Sequence, residues 1–100
     1  MKKQQQYHII RSDKAGVFIG RIVKQTNDGI VTVTNTRRLY YWVGALDVIG
    51  IAKNGVNSSG CKFSAQLSDG DVTHIYNVLE THPISEKALQ TINAVPEWKQ

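Results

Sequence analysis

Cysteine is nearly absent from this sequence, in which Cys61 is the only one. A single thiol cannot form a disulfide within the chain, and a zinc site requires several cysteine or histidine ligands. The three histidines, His8, His74 and His82, lie far apart without metal-ligand spacing. We therefore expect Cys61 to be a small buried side chain in a protein of a reducing compartment, and we expect neither a metal nor any other cofactor.

Long apolar segments are absent as well. No run approaches the ~20 residues that a membrane helix requires, and residues 1–6 are followed by no apolar segment of the kind that marks a secretory signal. Hydrophobic residues make up 41% of the chain and charged residues 20%, which is typical of a folded globular protein. The 100 residues suffice for one domain. We predict a flexible tail over residues 1–6 and a single β-rich domain over residues 7–98.

Acidic residues are fewer than basic ones, and the formal net charge is +4. Such an excess favours anionic partners, among them nucleotides and nucleic acids. Lys2, Lys3 and Lys99 lie near the chain ends, and without them the balance is only about +1. The remaining charge does not indicate a strongly basic DNA-binding face.

Short runs of β-forming residues, separated by turn residues, fill most of the chain. The strongest signal is residues 27–29 (Asn-Asp-Gly), since Asp-Gly tolerates the positive φ angles of a tight hairpin turn. It predicts that residues 30–34 pair antiparallel with residues 19–23, and Gly20 inside that strand indicates a bulge, a bend or a close backbone approach. The other predicted strands are 7–11, 39–43, 61–65 and 72–81, of which the last also fits a helix.

Two helices are predicted beside these strands. Residues 45–53 carry apolar side chains at helical spacing, and Ser85 is an N-cap for a helix over residues 85–93 that Pro96 prevents from continuing. Trp98 is expected to hold the C-terminal tail against the body of the protein. The elements together predict a mainly β (α+β) fold: a small curled antiparallel sheet or partly open barrel, with a short helix after the third strand and a C-terminal helix.

The segment 37–45 departs from ordinary core patterning, because two arginines, three aromatic residues and a glycine fall within it. On a strand, alternation places Arg38, Tyr40 and Trp42 on one face and the odd-numbered residues of the segment on the other. Aromatic rings can stack on a planar base, and a guanidinium can bind a phosphate through two parallel hydrogen bonds. This arrangement is typical of a surface that binds a nucleotide-like anion.

Gly44 and Ala45 complete this segment, and they are predicted to open the following helix, whose free backbone N–H groups would bind an anion. The alternative is that the aromatic side chains only pack and the arginines only solvate an edge of the sheet. The candidate ligand-binding residues are Arg37, Arg38, Tyr40, Tyr41, Trp42, Gly44 and Ala45.

No catalytic constellation is recognisable in the sequence. Ser58 and Ser59 have no histidine and aspartate at a triad-like spacing. A turn explains Asp69 and Asp71 better than a metal site or an acid–base pair does. We therefore expect that the protein is not an enzyme.

Residues 15–17 (Ala-Gly-Val), Gly20 and the segment 37–45 resemble a family of small uncharacterised proteins that tailed bacteriophages and prophages encode. That family shows an Arg-Arg-aliphatic-aromatic-Tyr-Trp-x-Gly-Ala signature, then Asn-Gly-Val-like residues (here 54–56) and a closing Val-Pro-x-Trp-like end (here 95–98). The resemblance covers most of residues 8–98. The sequence departs from the family pattern at Tyr40, where the family often has Trp, and this change leaves stacking intact.

The resemblance implies a phage protein that is expressed in the cytoplasm of an infected bacterial host. Small accessory phage proteins often antagonise host defence, and some sequester the nucleotide second messengers that trigger it. We therefore predict a non-enzymatic phage accessory protein, a homo-oligomer, that binds and sequesters a nucleotide-like anionic ligand such as a host-defence second messenger. Two alternatives stay open. One is a small barrel that binds single-stranded nucleic acid, and the other is a structural protein of the virion or one that binds a host protein.

Overall fold

Six antiparallel strands in one sheet form the body of the protein in a computed structural model, which describes residues 6–99. Helix α1 (Val48–Asn54) lies between the third and fourth strands in the chain, and α2 (Glu86–Asn93) follows the sixth. The predicted mainly β fold with these two helices is confirmed, and the sheet is not closed into a barrel. The strands are β1 (His8–Ser12), β2 (Gly16–Gln25), β3 (Val31–Tyr41), β4 (Lys62–Phe63), β5 (Val72–Ile75) and β6 (Val78–Pro83).

The predicted N-terminal tail lies outside the described residues except for its last member, Gln6. The side-chain amide of Gln6 donates a hydrogen bond to the carbonyl oxygen of Ile84 at 2.8 Å. Within residues 6–99, neither helix has the length and apolar character needed to cross a membrane.

Strands β2 and β3 form the antiparallel hairpin that the sequence predicts, but in another register: residues 31–34 pair with residues 21–25, and Ile19 lies opposite Arg37. Ile22 lies opposite Val33, and the backbone N–H of Thr26 donates to the carbonyl oxygen of Ile30 at 3.0 Å to close the turn. The hairpin forms because two local signals agree: an Asp-Gly turn and the alternation of β-branched residues on one side of it.

Strand β3 joins the two strands that the sequence predicts over residues 30–34 and 39–43, because the extended chain continues through residues 35–38 between them. The register against β2 shifts across Gly20, and Asn35 has a φ of 55°. A Cβ atom on Gly20 would lie 3.0 Å from the carbonyl oxygen of Thr34. A bulge therefore absorbs the residues that resemble a break, and glycine permits the close approach of the two backbones.

The prediction of one strand over residues 72–81 is wrong, since the structure divides this segment into β5 and β6 at Tyr76 and Asn77. Asn77 has a φ of 57°, in the left-handed region that asparagine tolerates. Strand β5 pairs with β3, whereas β6 pairs with β1. Strand β5 therefore lies beside β3 and β6 lies beside β1, with β2 between β3 and β1. Because only two residues join β5 to β6, the sheet must curl to bring these strands together at a corner.

Helix α1 begins later than predicted, at Val48 rather than at Ala45. Asp47 is its N-cap, and the side-chain oxygen Oδ1 accepts a hydrogen bond from the backbone N–H of Gly50 at 3.0 Å. Asp is among the best N-cap residues, and it competes with the weaker signal of apolar spacing. Helix α2 is confirmed, with Ser85 as its predicted N-cap.

An apolar cluster lies on each face of the sheet. The helices cover one face, and we call the cluster beneath them the helix-side core. The curl of the sheet encloses a smaller cluster on the other face, the strand-side core, made of Ile10, Phe18, Val31, Val33 and Ile75. The helix-side core contains Ile9, Ile19, Leu39, Val48, Ile51, Ala52, Val56, Phe63, Ile84, Ala88, Ile92 and Val95.

Candidate ligand-binding site

Arg37 faces the helix-side core and is buried, with only 7% of its surface exposed. Its Nε donates to the carbonyl oxygen of Ser64 at 2.6 Å and Nη1 to that of Ile92 at 3.0 Å, while Nη2 donates to Val95. The guanidinium carbon lies 5.1 Å from the centroid of the Phe63 ring. Burial lowers the pKa of Arg37, and Glu97 opposes this shift in the pKa. The structure therefore places Arg37 as an anchor between β3 and the end of α2, with its donors committed to backbone carbonyl oxygens.

Trp42 does not share a face with Arg38, contrary to the prediction from alternation. Strand β3 ends at Tyr41, and the next residue, Trp42, packs against the helix-side core. Arg38 pairs with Phe18 of the strand-side core. The alternation fails because it holds only while the chain remains extended.

Gly44 and Ala45 lie before helix α1 and do not open it. Gly44 has a φ of 96°, and a Cβ atom there would lie 2.7 Å from the backbone nitrogen of Asn57. The glycine is therefore explained by packing of the backbone. The prediction that Gly44 and Ala45 open the helix is wrong, because the helix begins at Val48 and its N-cap Asp47 accepts a hydrogen bond from the first turn.

Arg38 and Tyr40 lie on the exposed side of β3 and line a hollow of about 310 Å³. The guanidinium carbon of Arg38 lies 4.7 Å from the centroid of the Phe18 ring, and Tyr40 is 54% exposed. Two of the predicted site residues are thus together at one concave surface. Its lining residues are Phe18, Thr36, Arg38, Tyr40, Ser64, Ala65, Leu67 and Thr73.

Hydroxyl groups are the other polar element of this hollow. Ser64 Oγ accepts a hydrogen bond from the backbone N–H of Arg38 at 2.8 Å and donates one to the carbonyl oxygen of Ala65 at 3.0 Å. Thr36 is only 4% exposed, and its Oγ1 has no hydrogen-bond partner among residues 6–99. Of these two hydroxyl groups, that of Ser64 is therefore committed to the backbone, and that of Thr36 is buried without a partner in the described residues.

A second aromatic surface adjoins the hollow through Tyr40. The rings of Tyr40 and Trp98 meet edge to face, with centroids 5.7 Å apart and an angle of 60°. The Nζ atom of Lys62 lies 5.2 Å from the centroid of Trp98 and 5.9 Å from that of Tyr41. Trp98 is held in place because its backbone N–H donates to the carbonyl oxygen of Phe63 at 2.8 Å. It holds the tail, as expected, and also lengthens the aromatic surface.

The cations of this surface have no acidic partner in the described part of the chain. The ion pairs among the described residues are Arg11–Glu80, Arg21–Asp69 and His82–Glu80, and none of them involves Arg38 or Lys62. Residues 6–99 also contain no group of three or more metal-ligating side chains. No acidic side chain of the described residues therefore neutralises the charges of Arg38 and Lys62.

Sequence reasoning missed the residues that other elements contribute, namely Phe18, Lys62, Ser64 and Trp98. Their positions depend on strand pairing, which no local pattern specifies. Thr36 could have been found, since it alternates with Arg38 and Tyr40 along the extended chain.

Cys61 is only half-buried, against the helix-side core, and its thiol donates to the carbonyl oxygen of Asn57 at 3.0 Å.

The comparisons with known proteins assign no activity to this site. A family model described as a domain of unknown function (DUF6948) matches residues 5–90. The curated proteins yield no match, and neither do the solved structures. The matched span includes the lining of the hollow but not Trp98.

Proposed function

The chain belongs to the DUF6948 family of domains of unknown function, and we propose that it is a non-enzymatic protein that binds a nucleotide-like anion at the hollow beside Arg38 and Tyr40. One observation carries the proposal. An exposed guanidinium without an acidic partner in residues 6–99 lies beside an exposed aromatic pair, Tyr40 and Trp98. These are the two chemical groups that a phosphate and a base require.

In this proposal the two ends of the ligand bind different groups. Arg38 binds the phosphate, because a guanidinium offers parallel N–H donors that match two phosphate oxygens. Tyr40 provides an exposed ring for stacking, and its contact with Trp98 restricts the movement of that ring. Lys62 adds a second positive charge beside Trp98.

The lining of the hollow favours binding over catalysis. Among the described residues, its polar side chains are those of one arginine, one tyrosine, one serine and two threonines, with no carboxylate, imidazole or thiol. General acid–base catalysis near neutral pH relies chiefly on the groups that are missing from this lining. A hydrogen-bonding and stacking surface suits retention of a ligand.

The biological role that accompanies this proposal is sequestration of a host-defence second messenger in the cytoplasm of an infected bacterium. The resemblance to phage proteins supports that role. Self-association of the chain is part of the same proposal, because a hollow of about 310 Å³ on one chain is small for a dinucleotide. A second copy would enlarge the surface that such a ligand contacts.

Binding of single-stranded nucleic acid is a second candidate, and the continuation of the aromatic surface favours it. Tyr41, Lys62 and Trp98 extend the surface beyond the hollow, as stacking platforms for successive bases do. Affinity for an oligonucleotide that rises with its length and falls steeply with salt would favour this candidate. If only the hollow binds, the affinity for an oligonucleotide would not change with its length.

Calorimetric titration with AMP, ADP-ribose, cyclic di-AMP and inorganic phosphate tests the proposal. We expect at least one nucleotide to bind at micromolar concentrations, and Arg38→Ala to weaken that binding at least about tenfold, since a charge-assisted hydrogen bond is lost. Arg11→Ala is the matched control, because Arg11 is also exposed but pairs with Glu80 on another part of the sheet. Failure of every panel member to bind the wild-type protein, or full binding by Arg38→Ala, would overturn the proposal.

A further inference from the structure

A second hollow, of about 370 Å³, lies beside the start of helix α1, and we call it the α1 hollow. Most of the side chains that line it are apolar, and the others are charged. None of its lining residues lines the hollow beside Arg38, so the two surfaces are separate. The lining residues of the α1 hollow are Arg11, Val17, Trp42, Leu46, Asp47, Val48, Ile49 and Glu80.

Leu46 protrudes at the rim of the α1 hollow, because this side chain is 100% exposed. The segment that carries it is fixed to the helix, since Asp47 accepts a hydrogen bond from the backbone N–H of Gly50 at 3.0 Å. Ile49, in the first turn of α1, is 45% exposed and lines the same hollow. A single exposed leucine is ordinary, but one that adjoins an apolar hollow and a second exposed apolar side chain is typical of an interaction surface.

The shape of this surface is complementary to itself. A two-fold axis at the rim of the α1 hollow would place Leu46 of each copy in the hollow of the other. Contacts of this kind are isologous, so every contact that one copy makes is repeated by its partner. One protruding side chain and one hollow on the same chain are therefore sufficient for a closed dimer.

The charges of the α1 hollow have both signs. Arg11 pairs with Glu80, whereas Asp47 is exposed and forms no ion pair among residues 6–99. A guanidinium has five N–H donors, so Arg11 can bind a second carboxylate beside that of Glu80. A strongly basic partner would be repelled by Arg11, and a strongly acidic one by Asp47 and Glu80. A second copy of this chain brings an arginine and a free carboxylate together, as the surface requires.

We propose that a second copy of the chain docks at the α1 hollow through a two-fold contact, in which Leu46 of each copy enters the hollow of the other and Arg11 faces the partner's Asp47. The inference rests on the self-association within the proposed function, but not on nucleotide binding. It assigns this self-association to a surface apart from the hollow beside Arg38. A contact that enlarges the nucleotide surface would be a second interface, as in tetramers that combine different two-fold contacts.

Sedimentation equilibrium of the wild-type protein, Leu46→Ala and Leu46→Glu tests the apolar part of this interface. We expect the wild-type protein to dimerise at micromolar concentrations. Leu46→Ala should raise the dissociation constant of the dimer at least about tenfold, since both copies lose apolar contacts. Leu46→Glu should raise it at least about a hundredfold, because dimerisation would bury two carboxylates in apolar surroundings.

Val23→Glu is the matched control. Val23 is 62% exposed on β2 and lines neither the α1 hollow nor the hollow beside Arg38. This variant should dimerise as the wild-type protein does, although it adds the same charge as Leu46→Glu. The circular dichroism spectrum of Leu46→Glu should match that of the wild-type protein, since a fully exposed side chain contributes little to the fold of one copy.

Asp47→Asn tests the charged part of the interface. Asparagine retains an oxygen that can cap α1, but it has no charge to offer to Arg11. We expect the dissociation constant of the dimer to rise about fivefold, because two exposed ion pairs are lost. An unchanged dissociation constant would contradict the two-fold orientation.

The outcomes separate this inference from the proposed nucleotide binding. A wild-type protein that stays monomeric throughout the micromolar range overturns the inference and leaves another protein as the occupant of the α1 hollow. Wild-type self-association by Leu46→Glu also overturns it. Calorimetric titration of both proteins with AMP and ADP-ribose is the independent measurement. A dimer that binds no nucleotide overturns nucleotide binding alone, whereas a monomer that binds one overturns the interface alone.

Discussion

Arg37 and Arg38 are neighbours in the chain with opposite surroundings. The side chain of Arg37 is buried and donates to three carbonyl oxygens at the end of α2 and in the segment after β4. Arg38 is exposed and lies over the ring of Phe18. One arginine therefore stabilises the fold, and the other is the residue to which our proposal assigns phosphate binding.

We expect Arg37→Ala to lower the free energy of unfolding by about 3 kcal/mol, because three carbonyl oxygens, two of them in buried hydrogen bonds, lose a charged donor. Arg38→Ala should lower it by less than about 1 kcal/mol, as is usual for exposed positions. Urea denaturation of the two variants measures both values. Similar stability losses in the two variants would contradict these assignments.

His8 introduces a pH dependence of stability. Its Nδ1 atom is buried without a partner in residues 6–99, and desolvation lowers the pKa of His8 below its ordinary value of 6.5. Well above pH 6.5 the residue is neutral in both states. As the pH falls below that value, the unfolded chain binds a proton that the folded chain does not, so stability is lost.

The melting temperature of the wild-type protein should therefore fall as the pH is lowered from 7.5 to below 6.5, and His8→Gln should show a smaller fall over this range. Glu80 adds a separate loss at lower pH. Hydrogen bonds from His82 and then from Arg11 lower the pKa of Glu80 beneath 4.5, so its contribution is present above that pH and disappears as the pH falls through the lowered pKa. Parallel pH profiles for the wild-type protein and His8→Gln above pH 5 would refute the assignment to His8.

Among the elements, helix α1 allows a direct test of its N-terminus. The side chain of Asp47 caps it through the backbone N–H of Gly50. We expect Asp47→Ala to lower the free energy of unfolding by about 1 kcal/mol, a typical value for the loss of an N-cap. Nucleotide binding should remain unchanged, since the proposed site lies on β3. Calorimetric titration and thermal melting of this variant measure both effects. A large change in nucleotide affinity would contradict the placement of the site on β3.

The elements that the sequence predicts well are those with local signals at both ends. The hairpin has Asp-Gly between alternating strands, and α2 has Ser85 before it and Pro96 after it. The continuity of β3 depends on a bulge opposite Gly20, which exists only when β2 is paired beside it. The separation of β5 from β6 depends likewise on two different partner strands.

The candidate site follows the same division. Arg38 and Tyr40 lie on one exposed face because alternation holds while β3 is extended. Trp42 was assigned to that face wrongly, because the strand ends one residue before it. The walls of the hollow come from β2, from the segment after β4 and from β5. Their meeting results from the curl of the sheet, which a one-dimensional pattern does not contain.

At the scale of the whole molecule, the pairing of β1 with β6 bears on the order in which the strands of the sheet can form. Strand β1, near the start of the chain, pairs with β6, near its end, and His8 lies opposite Pro83. Contacts that join such distant residues form slowly, because a long loop must close first. During synthesis, the β2–β3 hairpin can form as soon as its residues leave the ribosome. The strand-side core remains incomplete until Ile75 of β5 has been synthesised, so the partly synthesised chain exposes apolar side chains such as Ile10 that favour aggregation.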